Sequence, residues 1–296
     1  MQFQSLISDS KSLSGNIGVV FADDEHIISS VIEILRQTQS HVTLYGVKDP
    51  TELIRSFNVD GEFLNRIHLR IFDDKESVYD KCADDLSEAT INILMKGNVT
   101  SAEILRFILE HKSFIDENNF LNHIACFEIP SYHQMLMISD VALNIHPSID
   151  DRIKMIRNIE AFSKNIGYTH LNVGLLSSVE NPTHKIPSSI DAAEISAHFS
   201  TDDFLTVEGP FAFDNAIDKE SAIEKGIDSK IAGNIDVLVV PHLDVGNTLY
   251  KSLTYFANAK VASLILGTKF PVVLTSRADS VENKVNSAIL ALRTLS

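Results

Sequence analysis

The sequence predicts an α/β protein in which mostly parallel sheets are flanked by helices. Apolar β-rich segments alternate with amphipathic segments of helical period through most of the chain, and the connections between them are short. The length of 296 residues and the hydrophobic content of 44% are sufficient for two cores of ordinary size. Near residue 129 the alternation breaks, because two β-rich segments follow one another without a helix between them. We therefore predict two α/β domains.

The first third of the chain shows the alternation most clearly. Its predicted strands span residues 17–22, 41–47, 67–72 and 91–95. Its predicted helices span residues 27–36, 51–57 and 78–86, and a capping box at 100–103 opens a further amphipathic helix. Short strand–helix–strand units of this kind are typical of a parallel sheet covered by helices.

After the break the alternation resumes. Residues 133–138 and 140–145 are predicted to be adjacent strands that form an antiparallel edge. The later predicted strands and helices span 149–166, 171–176, a segment after Pro187, 205–207, 221–225, 237–240, 248–257 and 261–266. The last strand–helix pair, 272–292, is predicted to return to the first sheet. The first domain would then be discontinuous, comprising 1–129 and 270–296, and the second would comprise 130–269.

Composition argues against several classes of protein. A formal net charge of −15 disfavours general binding to nucleic acid or to anionic membranes, because both need a basic surface that displaces counterions. No apolar run reaches the length of a membrane span and the N-terminus lacks a signal pattern, so we expect a cytoplasmic protein. Cys82 and Cys126 are far apart, and the eleven histidines show no metal-ligating spacing. We predict neither a disulfide nor a metal site.

Two predicted strand-to-helix turns carry groups suited to an anion. Each turn joins a β-rich run to a helix start, where free backbone amides and the helix dipole favour negative charge. The polar and glycine residues at these turns are Lys96, Gly97, Asn98, Thr100, Ser101, Ser276 and Arg277. Two such turns in one chain predict a phosphorylated or CoA-like ligand, held by local cations against the negative field of the whole chain.

Five segments, in order along the chain, carry a family resemblance. They are 95–106 (MKGNVTSAEILR), 187–193 (PSSIDAA), 208–214 (EGPFAFD), 246–255 (GNTLYKSLTY) and 276–280 (SRADS). From about residue 15 to its C-terminus the chain resembles the phosphate acetyltransferase and phosphate butyryltransferase family, most closely the butyryltransferase branch.

The resemblance implies an isocitrate/isopropylmalate-dehydrogenase-like fold with two α/β domains, a cleft between them, and a homodimer or higher homo-oligomer. The implied reaction is acyl-CoA plus phosphate in equilibrium with acyl phosphate plus CoA. Coenzyme A is then a substrate, and no tightly bound cofactor is expected. The absence of G-x-G-x-x-G after the first predicted strand agrees with a reaction that needs no nicotinamide.

The resemblance also implies roles at the second turn, which we expect to lie in the cleft. Arg277 would grip phosphate or the developing oxyanion, because its planar guanidinium makes paired charge-assisted hydrogen bonds. Ser276 would donate a hydrogen bond to the leaving CoA thiolate or to the oxyanion. Asp279 is a candidate catalytic residue, but Asp279 and Glu282 also have capping-box spacing. The position that aligns with the base of the acetyltransferase branch is Asn283, which cannot accept a proton at neutral pH.

The remaining candidates would bind phosphate or CoA. Lys96 and the amides that follow it, with Ser101, could hold phosphate or the CoA pyrophosphate, whereas Thr100 could equally cap its helix. Three further candidates are a lysine in a loop that the resemblance places near the cleft, an aspartate that could orient cleft groups and an asparagine that could instead cap a helix: Lys185, Asp214 and Asn247.

One position departs from the family pattern. Asp116 stands where the butyryltransferase branch usually has an arginine, and a carboxylate beside an anion site would repel phosphate. Two other functions therefore stay open: a CoA-binding protein without catalysis, and a metal-dependent decarboxylating dehydrogenase of the same fold. The dehydrogenase would need aspartates clustered around a metal, whereas the pairs at 23–24 and 202–203 fall at predicted loops or helix starts.

Overall fold

A computed structural model describes residues 1–276 and 279–295 of the chain. Its strands are β1 (Asn16–Val20), β2 (His41–Gly46), β3 (Ile67–Ile71), β4 (Ile93–Lys96), β5 (Asn122–Glu128), β6 (Leu136–Ser139), β7 (Leu171–Leu176), β8 (Leu205–Phe211), β9 (Val237–Val239), β10 (Lys260–Leu266) and β11 (Val272–Val273). Its helices are α1 (Phe3–Ile7), α2 (Glu25–Gln37), α3 (Thr51–Ser56), α4 (Gly61–Leu64), α5 (Lys75–Ser87), α6 (Ser101–Glu110), α7 (Ile149–Asn165), α8 (Pro187–His198), α9 (Phe213–Ile217), α10 (Lys219–Glu224), α11 (Leu243–Phe256) and α12 (Val281–Arg293). In this part of the chain, every helix is too short or too polar to cross a lipid bilayer.

Contacts between Cα atoms divide the chain into two compact units. The first unit contains residues 6–119 and 262–296, and the second contains residues 1–5 and 120–261. Each unit is mixed α/β, with a mostly parallel sheet flanked by helices. The domain boundaries predicted at 129/130 and 269/270 concern folding domains rather than contacts and stay a prediction.

The sheet of the first unit has the strand order β3-β2-β1-β4-β11-β10. Its neighbouring strands are parallel, except that β10 and β11 are antiparallel. β11 pairs with β4 so that Val272 lies opposite Leu94 and Val273 opposite Met95, and all four residues are fully buried. The prediction that the last strand–helix pair returns to the first sheet is confirmed. Because β4 and β11 are parallel neighbours, the turns that follow them leave the same edge of the sheet.

Helices α2 and α12 show why the first unit holds together. In α12 the residues Val285, Ala288, Ile289 and Leu292 recur with helical period and are at most 2% exposed. The helix packs against α2, whose apolar face is buried in the same way. The pattern of apolar residues therefore fixes which face of α12 meets the core, and with it where the first turn of the helix lies.

The sheet of the second unit has the strand order β5-β6-β9-β7-β8, and β5 and β6 are its antiparallel pair. The prediction of a strand over residues 140–145 is wrong. The carboxylate of Asp140 accepts hydrogen bonds from the amides of Ala142 (2.7 Å) and Leu143 (2.9 Å) and from Nδ2 of Asn144 (2.7 Å). These local bonds use donors that a strand would direct to a neighbour, so the chain turns instead, and β6 pairs with β5.

Candidate active site

The first predicted turn lies in the first unit, where Lys96 ends β4. Lys96 is 4% exposed, and its Nζ donates hydrogen bonds to the carbonyl oxygens of Gly97 (3.3 Å) and Val99 (3.1 Å). An ammonium withdrawn from water is costly unless polar groups or an opposite charge compensate it. The turn therefore places a desolvated positive charge at the carboxyl edge of a parallel sheet, the edge where α/β proteins bind ligands.

Gly97 is required by the close approach of the chain that follows β1. A Cβ at Gly97 would lie 2.4 Å from the carbonyl oxygen of Phe21 and 2.5 Å from that of Val20. The amides of Gly97 and Asn98 donate to the same two carbonyls, at 2.9 and 2.7 Å. Nδ2 of Asn98 donates to Asp23 at 2.9 Å. The turn after β4 is thus bonded to the turn after β1, and only a residue without a side chain fits between them.

Thr100 and Glu103 form the predicted capping box at the start of α6. The Glu103 carboxylate accepts hydrogen bonds from the amide (2.9 Å) and the hydroxyl (2.8 Å) of Thr100, and the Thr100 hydroxyl accepts from the Glu103 amide (3.2 Å). The bonds from Thr100 and from Lys75 lower the pKa of Glu103 from its ordinary value to about 2. A carboxylate therefore occupies the helix start where we predicted an anion, next to the partly buried Ser101. Binding roles for Thr100 and Ser101 stay predictions.

The second predicted turn follows β11 in the same unit. The amide of Ser276 donates to Oδ2 of Asp279 at 2.6 Å, and the amide of Asp279 donates to the carbonyl oxygen of Ser276 at 3.1 Å. Arg277 lies outside the described residues. The capping box proposed for Asp279 and Glu282 is wrong by one position, because Ser280 is the N-cap of α12 and its hydroxyl accepts from the amide of Asn283 at 3.1 Å. Catalytic roles for Ser276, Arg277 and Asp279 stay predictions.

Sequence reasoning missed Lys284 in the first part of α12. This lysine is 2% exposed, and its Nζ donates to the backbone carbonyl oxygen of Asp279. Burial lowers its pKa, which the carboxylates of Asp279 and Asp24 partly offset. A signal was available: Lys284 stands next to Val285, on the side of the helix that the apolar period assigns to the core.

Three candidates lie in the second unit. Lys185 is exposed in the loop between Thr183 and Ile186, which form an isolated bridge. Asp214 pairs with Lys225 at 2.7 Å, and this hydrogen bond lowers the pKa of Asp214. Nδ2 of Asn247, on α11, donates to the carbonyl oxygen of residue 141 at 3.3 Å. The contacts of Asp214 and Asn247 stabilise local structure, and binding roles for all three stay predictions.

Asp116 lies away from the two turns within the first unit. Its amide donates to the carbonyl oxygen of Gly267 at 3.0 Å, in the connection between the antiparallel strands β10 and β11. That connection is at the amino end of β11, whereas Ser276 follows the carboxyl end. At about 3.3 Å per residue the two positions are on the order of 15 to 20 Å apart. The expectation that Asp116 borders the same anion site as Ser276 is therefore wrong.

The aspartate pairs considered for a dehydrogenase are engaged in structural contacts. Asp24 caps α2 by accepting from the amide of Ile27 at 3.0 Å, and Asp23 accepts from Asn98. Asp202 accepts from Arg157 at 2.7 Å. Within residues 1–276 and 279–295, no three His, Cys, Asp or Glu side chains are grouped so that they could hold a metal ion.

The two cysteines are poor candidates for a nucleophile. Cys82 and Cys126 are free thiols with 0% exposure. Burial raises the pKa of both thiols, because it disfavours the thiolate, which is the reactive form. A covalent acyl-cysteine intermediate therefore has no support in the environment of either residue.

Known proteins resemble this chain over most of its length. Residues 85–292 match the family described as phosphate acetyl/butaryl transferase. A probable phosphate butyryltransferase of Bacillus subtilis is 33% identical over 279 residues, which are 93% of this chain and 92% of that protein. A phosphate acetyltransferase of Thermotoga maritima is 30% identical over 295 residues, which are 98% of this chain and 99% of that protein.

A solved structure agrees with these relatives. The crystal structure of a branched-chain phosphotransacylase from Enterococcus faecalis V583 has a TM-score of 0.85 at 32% identity, over 95% of this chain and 98% of that chain. The resemblance predicted from the five sequence segments is confirmed. The chain belongs to the phosphate acetyl/butyryl transferase family and is an enzyme of the phosphate acyltransferase type.

Proposed function

We propose that this enzyme moves a short acyl group between CoA and inorganic phosphate, with butyryl or a branched acyl group preferred to acetyl. The acyl preference is supported by the names of two relatives, a probable phosphate butyryltransferase and a branched-chain phosphotransacylase. We propose further that the two α/β units are the domains of a dehydrogenase-like arrangement and that the protein is a homodimer or a higher homo-oligomer.

The observation that carries the proposal is the buried ammonium of Lys96 at the carboxyl edge of the first unit's sheet. The chain has a net charge of −15, so a free anion approaches it against the overall field. A desolvated cation attracts an anion more strongly than an exposed one, because water screens it less. The next strand in this sheet, β11, leads to Ser276 on the same edge. Lys96 and Ser276 therefore lie at neighbouring strand ends, where one phosphate-bearing substrate could meet both.

The chemistry asks little of the protein beyond positioning and charge stabilisation. A phosphate oxygen attacks the thioester carbonyl carbon, the new C–O bond forms, and the carbonyl oxygen takes the negative charge. When this tetrahedral intermediate collapses, the C–S bond breaks and CoA leaves as a thiolate, which takes a proton from water. Lys96 would hold the phosphate, and Ser276 would donate a hydrogen bond to the thiolate or the oxyanion. Arg277 would make paired bonds to phosphate.

The reaction is tested by measuring free thiol released from acetyl-, butyryl- and isobutyryl-CoA, with and without phosphate. We expect release to require phosphate and to be fastest with butyryl- or isobutyryl-CoA. Arsenate should replace phosphate, because an acyl arsenate hydrolyses and draws the reaction forward. Equal release without either anion would identify a thioesterase and contradict the proposal.

The role of Lys96 is tested by Lys96→Met, which removes the charge at similar volume. We expect its KM for phosphate to rise at least about tenfold, since a charged hydrogen bond contributes on the order of 1.5 to 3 kcal/mol. The control is Lys11→Met, which makes the same change at an exposed lysine of the first unit. An unchanged KM for phosphate in a folded Lys96→Met protein would remove Lys96 from the site.

A further inference from the structure

Lys284 occupies a position that is unfavourable for a lysine in two respects. It lies within the first five residues of α12, where the positive end of the helix dipole repels a cation. It is also 2% exposed, so its ammonium has lost most of its contact with water. A methionine or leucine would pack at such a position without either penalty. The retained charge therefore needs a local explanation.

The contacts of Lys284 supply that explanation, because they converge on the connection between β11 and α12. Its Nζ donates to the carbonyl oxygen of Asp279, and the carboxylates of Asp279 and Asp24 both attract the ammonium. Asp279 in turn holds Ser276 at both backbone groups, through Oδ2 (2.6 Å) and through its amide (3.1 Å). One continuous chain of hydrogen bonds thus runs from Lys284 through Asp279 to Ser276.

The far end of this chain is anchored in the core. The helix that carries Lys284 buries Val285 and Ala288 at 1% and 0% exposure and packs against α2. Asp24, the second carboxylate near Lys284, is the N-cap of α2. The ammonium therefore lies between two helix starts that follow β1 and β11, and its position is set by elements that cannot move independently of the core.

We propose that Lys284 is a positioning residue for the acyl transfer, which holds the segment from Ser276 to Asp279 in the geometry that the reaction needs. The role rests on the proposed function, in which Ser276 acts on the thiolate or the oxyanion. Lys284 does not contact substrate. It acts through Asp279, and a displacement of Ser276 by about 1 Å can reduce turnover by on the order of a hundredfold.

The test compares Lys284→Met with Lys81→Met. Lys81 lies on α5 in the same unit and pairs with the buried Asp85 at 2.8 Å, so its loss also leaves a buried carbonyl or carboxylate partner unmet. We expect both variants to lose stability. Only Lys284→Met should lose kcat, by about 10- to 100-fold, while its KM for acyl-CoA and for phosphate stays within about twofold.

The outcomes separate this role from the proposed function. A wild-type protein without phosphate-dependent thiol release would overturn both. An active wild type with a folded Lys284→Met variant of unchanged kcat would overturn the positioning role alone, as would an equal loss of kcat in Lys81→Met. If Lys284→Met does not fold, Lys284→Gln is used, since it keeps a polar side chain that is too short to reach the Asp279 carbonyl. Unchanged kcat in that variant would also refute the role.

Discussion

Replacing Gly97 by alanine should destabilise the first unit by forcing two backbone segments apart. The new Cβ would lie 2.4 and 2.5 Å from the carbonyl oxygens of Phe21 and Val20, so the segments must separate by about 1 Å to reach ordinary contact. That separation lengthens the hydrogen bonds from Gly97 and Asn98, which are 2.9 and 2.7 Å long. Two lost bonds at about 1 kcal/mol each and about 1 to 3 kcal/mol of steric strain are partly offset by lower entropy of the unfolded chain. We expect a net loss of about 2 to 4 kcal/mol.

The assay is equilibrium unfolding in urea, and the matched control is Gly61→Ala. A Cβ at Gly61, the first residue of α4, would meet no atom within 4 Å. We expect the free energy of unfolding of this control to stay within about 1 kcal/mol of wild type, on the stabilising side. Gly97→Ala should also reduce turnover, because Lys96 and Asn98 move with the turn. A Gly97→Ala protein within about 0.5 kcal/mol of wild type would show that the two segments do not need their close approach.

Two further predictions concern Glu103 and Asp116. The depressed pKa of Glu103 means that its ionised form stabilises the fold above about pH 4.5, and that this contribution is lost as the pH falls from 4.5 towards 2. In urea unfolding, Glu103→Gln should therefore cost about 1 kcal/mol at pH 7 and less at pH 3, since the carboxyl is partly exposed; an equal cost at both pH values would contradict this reasoning. Asp116→Arg should leave KM for phosphate within about twofold at low salt, because Asp116 lies at the opposite end of β11 from Ser276. A clear fall in that KM would show that the turn at Asp116 reaches the anion site.

The elements that depend on local pattern were predicted well. The capping box at Thr100 was visible because a threonine and a glutamate three residues apart preceded an apolar helical period, and the structure forms both bonds. The return of residues 272–292 to the first sheet was predictable because Val272, Val273 and the apolar side of the following helix need a buried partner. In both cases the same residues encode the local structure and its packing.

The failures arose where local hydrogen bonds or tertiary packing decided between equivalent patterns. Residues 140–145 alternate like a strand, but the carboxylate of Asp140 takes the amides that a strand would need. At the start of α12, Asp279 and Ser280 are both good N-caps, and the spacing of Glu282 favoured Asp279. The structure uses Asp279 to hold Ser276 and leaves the capping to Ser280. Sequence spacing cannot distinguish these because both arrangements satisfy the same donors.

The two turns were predicted to bind an anion by the same means, a helix start with free amides, and the structure shows that they differ. At α6 the carboxylate of Glu103 already accepts the donors at the helix start, so any attraction for an anion there must come from Lys96. At α12 a second buried ammonium, that of Lys284, lies beneath the segment that begins at Ser276. Of the lysines in the described part of the chain, these two are the ones below 5% exposure, and both follow neighbouring parallel strands. In a chain of net charge −15, desolvated ammonium groups at one sheet edge are a stronger basis for holding phosphate than helix dipoles, because they carry whole charges that water and salt screen weakly.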